Sequence, residues 1–497
     1  MIALLQAPLT HKADALLFGF RQDIEFLGKT SVNHLRWLKG QSLKGQDEFP
    51  RFYWQSRDRE LEISAVGAAM RFSSLTAAQQ FIQYCAPTDF QPLLVGGVPF
   101  PGRQPAAPDP LSIRSESAEQ CGEMFFLPIR ALIRRGQNSF LVKFLRLHQP
   151  SANTGLDFSA LAASASTECQ QRALETEGGL DDSLAGATEN PIKESTGRVD
   201  HGATQDASRG GLREPRLHSR IDQPSREQWC GLVDRLIEPD ALANTPKVVL
   251  ARRSRFTVQG DLDEFALLDQ WRRVEPHTMP YLLQTHADSC FLGCTPERLY
   301  RRRGCDLVTE ALAGTIEKAA SAVAHAGSAS ALRSDVKIRR ENYLVQDYIK
   351  RQLTGLCESV QVKPVADVVD LKYIQHLRKL ISGTLNPEVT DALILKALHP
   401  TPAVGGSPRG DALDFISTHE HFERGWYAGA IGYLSADEAE FSVAIRSAQV
   451  TRRHIDLFAG AGIVAGSEAG AEWQELDNKI ESVLGLFAGA GHHHQYS

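Results

Sequence analysis

The sequence lacks most of what would mark an exported, membrane-embedded or nucleic-acid-binding chain. No apolar run approaches the ~18 residues that span a bilayer. Residues 1–11 hold no basic region leading into a long apolar core and cleavage site. A cytoplasmic protein without a membrane partner is the expectation. Cysteine is sparse, 8 in 497 residues, with no CxxC pair and no histidines at zinc spacing, so neither a disulfide framework nor structural zinc is indicated. These cysteines read as reduced, buried small hydrophobes. Basic residues are in deficit, Lys+Arg 54 against Asp+Glu 60 for a net charge of −6, whereas a nucleic-acid partner demands a clustered Lys/Arg surplus. The adjacent His492, His493 and His494 read as a frayed tail rather than a metal site. What remains is an ordinary soluble composition, 42% hydrophobic, long enough for a large core and suited to a small-molecule substrate.

The richest stretch lies near the C-terminus: Ala459-Gly460-Ala461-Gly462-Ile463-Val464, then Glu472, Trp473, Glu475 and Lys479. Glycines let a backbone approach a ligand and leave amides free to donate to it. Glu472, Glu475 and Lys479 stand at i, i+3 and i+7, on one helical face. Two carboxylates and an ammonium could hold a hard divalent cation and an anionic substrate together, or they could be a solvated face with an internal ion pair.

Up to about Phe144 the chain has the texture of short strands and turns. Arg51–Gln55 and the alternating Leu61–Gly67 form a hairpin across Arg57, Asp58 and Arg59. Leu75–Tyr84 reads as a helix, Leu93–Phe100 as a strand broken by a Gly96-Gly97 bulge, and Met124–Ile133 and Phe140–Leu147 as strands. None carries paired acid/base residues, so all read as scaffold. Residues 160–224, rich in Ser, Thr, Gly, Glu, Gln and Arg, read as a mobile insertion. Ser225 and Gln228 then form a capping box ahead of Trp229, Leu232, Val233, Leu236 and Ile237 on one face.

Lys247 begins a strand, where a lysine by default meets solvent. Leu282–Gly293 and Leu299–Val308 read as adjacent strands, with Glu297 on a turn at the sheet rim. A long helix over Ser334–Leu353 places Glu341 near Leu344, Val345 and Tyr348. His376, as a single histidine, reads as a core residue. Asp391–Leu398 and Phe415–Phe422 read as helices, Thr401–Gly406 as a rigid loop, and Gly425–Leu434 and Glu440–Gln449 as strands, the second containing Arg446.

Seven segments identify a family by their order: FLGCTPERL (291–299), TEALAGT (309–315), KIRREN (337–342), LHPTPAVGG (398–406), RGWYAGAIG (424–432), FSVAIRSA (441–448) and AGAGIV…EWQELDNK (459–479). Together they resemble the chorismate-utilising enzymes, closely over 225–487, while FYWQSRDRELEISAVG (52–67) is similar to the isochorismate synthases. The resemblance implies an α+β fold of large antiparallel sheets in a layered sandwich edged by helices. Residues 1–159 would supply the N-terminal half, 160–224 the insertion, and 225–487 the chorismate-binding half. It also implies a Mg²⁺ enzyme with Glu341 and Glu475 as carboxylate ligands and Glu472 close to the metal. That suits an ion that takes one or two protein carboxylates and keeps waters. Gly314, Thr315, His376, Tyr427, Arg446, Gly460, Gly462 and Lys479 would bind substrate, the planar fork of Arg446 matching a carboxylate.

The reaction so implied adds water at ring C2 of chorismate and expels the C4 hydroxyl. Lys247 matches the water-activating base and Glu297 the acid, each proton transfer worth about 10²–10⁴-fold. Such a lysine must titrate well below its ordinary value of about 10.4, and such a glutamate above its own. Ala313 stands where lysine-dependent aminodeoxychorismate synthases carry lysine, and Lys247 argues against an anthranilate synthase. A salicylate synthase, which continues to pyruvate elimination, is the runner-up, and a noncatalytic chorismate-binding protein is the reading from another class. A monomer or homodimer, serving menaquinone or siderophore metabolism, completes the expectation.

Overall fold

The computed structural model describes residues 15–17, 20–29, 32–43, 48–86, 90–102, 122–146, 216–317, 334–370, 374–420 and 422–487. Most of the expected 160–224 insertion and the histidine tail lie outside the described residues. The described residues belong to one compact unit. Within 160–224 the described part, Arg216–Gln223, is a strand paired along Lys247–Gln259. None of its residues is buried, which is why its composition matches an exposed segment; the backbone ladder along its neighbour is what holds it.

All strand pairings among the described residues are antiparallel. One path of neighbours runs Arg216–Gln223, Lys247–Gln259, His454–Val464, Ser447–Thr451, Ser289–Thr295, Met279–His286, Arg51–Gln55, Leu61–Phe72 and Met124–Arg135. It continues through Leu94–Val98, Ala430–Leu434, Glu438–Val443, Arg298–Arg303, Asp306–Glu317 and Ile374–Leu385. A twisted sheet of this extent must fold over on itself, and strands from its two ends line one cleft, Val249 and Gly460 from one end, Gly314 and His376 from the other. The halves of the chain are interleaved, because Arg51–Gln55 lies on Met279–His286 and Leu94–Val98 on Ala430–Leu434. Helices edge the sheet. The Ser225 capping box opens Arg226–Ile237, whose Trp229 meets Trp473 of Ala469–Leu484 edge-on at 6.1 Å and donates to Ala469 O at 3.2 Å.

Several expectations are corrected. Leu282–Gly293 is a hairpin turning at Ala287-Asp288, and Leu299–Val308 a second one turning at Gly304-Cys305. The helix expected at Phe415–Phe422 runs Arg409–His419. The strands Ser289–Thr295 and Arg298–Arg303 are not neighbours. They are successive lengths of one line, pairing with Ser447–Thr451 and Glu438–Val443 respectively. Glu297 therefore sits in a break in the middle of the sheet, 3% exposed, and Arg446 sits in the matching break opposite rather than within a strand. Gly96-Gly97 forms no bulge, since the register is unbroken on both sides. A Cβ at Gly96 would lie 1.9 Å from Met124 O, and one at Gly97 2.4 Å from Ala430 O, so these glycines admit two neighbouring strands at once. Gly96→Val should cost upwards of about 3 kcal/mol in urea unfolding, with no soluble native fraction recovered at 37 °C; a near-wild-type midpoint would show that the strand spacing adjusts.

Candidate active site

The shared break in the two central strands creates the first part of the site. Across it, Val443 N donates to Glu297 O at 3.0 Å and Cys294 N to Arg446 O at 3.0 Å, so both backbones stay satisfied although neither residue is in a ladder. Arg446 adopts φ +51°, a left-handed conformation that costs a non-glycine residue about 1–3 kcal/mol unless neighbours enforce it. Tyr281 enforces it, its hydroxyl donating to Ile445 O at 3.2 Å. Arg446 is half-buried, but its Nη2 is shielded from solvent and has no hydrogen-bond partner among the described residues. Burial lowers its pKa, against the pull of Glu275, Glu475 and Tyr427. A buried, unsatisfied guanidinium nitrogen at a cleft wall is a standing demand for an anion.

The Glu297 carboxyl is pushed up to about 8, first by burial and then by the nearby Glu310, against the opposing pull of Lys247, Arg57 and a hydrogen bond with Thr401. It is thus a protonated acid at neutral pH. His376 is driven down to about 3 by burial and by Arg446 and Lys479, so it is neutral.

The helix Val336–Thr354 starts at Asp335, whose side chain accepts from Ile338 N at 2.9 Å. Asn342 anchors it to the sheet, its Nδ2 reaching Ala311 O and Leu377 O, both at 3.0 Å. With Asn342 pointing inward, Glu341 reaches the cleft, and its Oε1 accepts from Lys247 Nζ at 2.9 Å. Gly314, at φ +81°, makes room for this helix, since a Cβ there would lie 2.5 Å from Ile338. Lys247 does not meet solvent; it is fully buried and stands behind Gly462, where a Cβ would come within 3.0 Å of its Cε and 2.9 Å of Glu341 Oε1.

Gly460 and Gly462 pair with Ala251 and Val249. Val249 N donates the other way, to Gly405 O, and Ala251 N to Glu420 Oε1. These are therefore non-hydrogen-bonded pairs, and the polar groups of both glycines face the open edge. Gly460 O accepts from Lys479 Nζ at 2.7 Å, and the same ammonium reaches Glu475 Oε1 at 2.6 Å. A Cβ on Gly460 would lie 2.7 Å from the Tyr427 hydroxyl, whose ring stacks on Phe458 at 5.1 Å.

The cleft, about 320 Å³, is lined by Glu297, Gly314, Glu341, His376, Tyr427, Arg446, Gly460, Gly462, Glu472, Glu475 and Lys479 among others. Those residues come from positions far apart in the sequence. Lys247 stands one layer behind them, reached through Gly462, and the side chain of Thr315 lies outside the described residues, its backbone registered with His376. No group of three or more His, Cys, Asp or Glu residues forms a ready-made metal cage among the described residues; Glu341 and Glu475 are each paired with a lysine. Arg57, Glu310, Thr401 and Asn342 were missed. The first three touch or face Glu297 rather than the cavity, and only the cluster Arg57-Asp58-Arg59 in a tight turn hinted at them.

The profile of the family described as chorismate binding enzyme matches residues 184–488. Isochorismate synthase MenF of Haemophilus influenzae is 32% identical over 457 residues, covering 92% of this chain and 90% of that protein. The chain belongs to the chorismate-binding enzyme family, among its isochorismate synthases. The solved structure of MenF, the menaquinone-specific isochorismate synthase of Escherichia coli, is similar with a TM-score of 0.72 at 30% identity, covering 98% of both chains. Anthranilate synthase component I of Streptococcus pneumoniae shares the fold, with a TM-score of 0.57 at 20% identity over 97% of this chain and 96% of that one. The large antiparallel sheet edged by helices is the fold of this family. Asn342→Leu should release the helix that carries Glu341 by removing its hydrogen bonds to two buried strand residues, lowering stability by about 2–3 kcal/mol. Denaturant titration measures this, and a loss below 0.5 kcal/mol on the same order-of-magnitude scale would show the anchor to be dispensable.

Proposed function

We propose that this cleft converts chorismate to isochorismate by adding water at ring C2 and expelling the C4 hydroxyl, with Glu297 as the acid and Lys247 as the base. The observation that carries the reading is the Glu297 side chain, buried on the cleft wall where burial and Glu310 raise its carboxyl above the ordinary range. A departing hydroxyl must collect a proton, and an acid poised near 8 can give one at neutral pH. Lys247 lies within electrostatic range of Glu297 and stands directly behind Gly462 of the cleft wall, where no Cβ intervenes, with its ammonium on the cleft residue Glu341. Arg446 and the outward amides of Gly460 and Gly462 are suited to the enolpyruvyl carboxylate, and Lys479 adds positive charge beside them.

The donor set fits Mg²⁺. Glu341 and Glu475, with Glu472 beside them, present hard oxygens in one cleft, and this ion accepts one or two carboxylates with water and substrate completing its shell. When bound, it supplies Lewis-acid charge to the ring carboxylate. The nearly full-length likeness to MenF proteins supports a role in menaquinone metabolism.

Chromatography of chorismate incubated with the protein and Mg²⁺ should give isochorismate. Salicylate with pyruvate would establish the runner-up instead, and no metal-dependent conversion would leave only a chorismate binder. Lys247→Ala should abolish turnover, and Glu341→Gln should weaken Mg²⁺ binding in calorimetric titration; full turnover or an unchanged isotherm would remove those assignments. As pH rises through about 8, Glu297 ionises and kcat/KM should fall. Glu297→Gln should lose about 10²–10⁴ in kcat together with that limb. A carboxyl raised in the folded state favours folding fully below its unfolded value and loses that contribution as pH rises through the folded one. Glu297→Gln should therefore gain stability over wild type above pH 8, as thermal melts across pH would show.

A further inference from the structure

The backbone around Glu297 is held from four directions. Thr295 Oγ1 accepts from Glu297 N at 3.1 Å and Val443 N donates to Glu297 O at 3.0 Å. On the preceding residue, Pro296 O accepts from Arg57 Nη2. On the following one, Arg298 N donates to Glu310 Oε1 at 2.8 Å. Those last two partners are bound to each other: Arg57 forks onto both oxygens of Glu310, Nη1 meeting Oε2 at 3.0 Å. Glu310 is 2% exposed, on the strand Asp306–Glu317, whereas Arg57 comes from the hairpin turn between Gln55 and Leu61, more than 200 residues away.

We propose that Arg57 and Glu310 are positioning residues for the reaction, a pair that clamps the peptides on both sides of Glu297 and sets the charge beside its carboxyl. The inference rests on reading Glu297 as the proton donor. Against its burial, Arg57 and Arg298 hold Glu310 below the usual carboxylate range, while burial and Glu310 raise Glu297. Two carboxyls in one dry region are thus pushed apart, one kept charged so that the other stays protonated. Every element packed there contributes. Lys247 faces Glu297 from its strand, Arg57 from the hairpin turn and Thr401 from the Pro/Gly loop, with Tyr427 from the turn before Ala430. Arg298 is paired with Glu440 at 2.6 Å, and Arg378 stands 3.8 Å from Glu310. The N-terminal half, which carries no acid/base pair of its own, thereby reaches the chemistry through one guanidinium.

The test is the basic limb of kcat/KM against pH in the full-length protein. Glu310→Gln removes the negative neighbour and leaves Arg57 in place, so the limb should move to lower pH by about one unit. Arg57→Gln leaves the Glu310 charge less compensated, so the limb should move to higher pH, and Arg57→Lys, which keeps the charge without the fork, should bring it back toward wild type. Opposite signs are the signature; a role in folding alone moves neither limb or both the same way, and either result overturns the inference. Should Glu310→Gln fail to fold in a thermal melt, the two Arg57 variants carry the sign test alone. If wild type yields no isochorismate, or Glu297→Gln retains the limb, the fault lies with the Glu297 reading and not with the pair.

Discussion

Everything in the cleft depends on one interruption. Two antiparallel strands run together along 289–303 and 438–451 and both leave the ladder at the same point. Each break is four residues long at most, and main-chain bonds span it, so the sheet is not weakened into a loop. The interruption frees two side chains that regular pleating would have pointed into the layers on either side. One is an acid in a dry setting and the other a guanidinium with a nitrogen left unpaired. Strain at Arg446 is tolerated because Tyr281 and Gly293 pack around it. A backbone held this firmly suits pre-organised electrostatics, where donors are in place before charge develops.

The remaining walls follow from room left by absent side chains. Glycines at 314, 460 and 462 admit Ile338, the Tyr427 hydroxyl and the Lys247–Glu341 pair respectively. Their part was first suggested by amides able to donate, and the register agrees, since those amides face outward. Yet the space they leave is the stronger constraint. Any Cβ at 462 would meet the lysine and the carboxylate together.

How much of this was legible depended on how local each signal is. The capping box at Ser225 and the helix carrying Glu341 are set by neighbours within a turn or two, and both stand where the pattern put them. The face of Glu472, Glu475 and Lys479 was likewise visible in spacing, though only its partner Gly460 shows why it is turned inward. Glu297 looked like a rim residue because its covering strand is about 150 residues further on, and no local period reports that. Gly96-Gly97 looked like a bulge for the same reason, since the carbonyls that forbid a side chain belong to residues 124 and 430. Arg57 was taken for a polar punctuation of a hairpin, and its partner lies on a strand of the other half.

The interleaving of the two halves bears on how the chain is made. Leu94–Val98 is flanked by Met124–Arg135 on one side and by Ala430–Leu434 on the other, so during synthesis it waits with one edge bare until more than 300 further residues have followed it. Contacts of that separation close late and slowly, and an unpaired edge is a template for mispairing with other chains. The two glycines that make this strand flat enough to be sandwiched also leave it with little side chain to guard that edge. Newly made protein should therefore depend on chaperones at this strand more than anywhere else in the sheet.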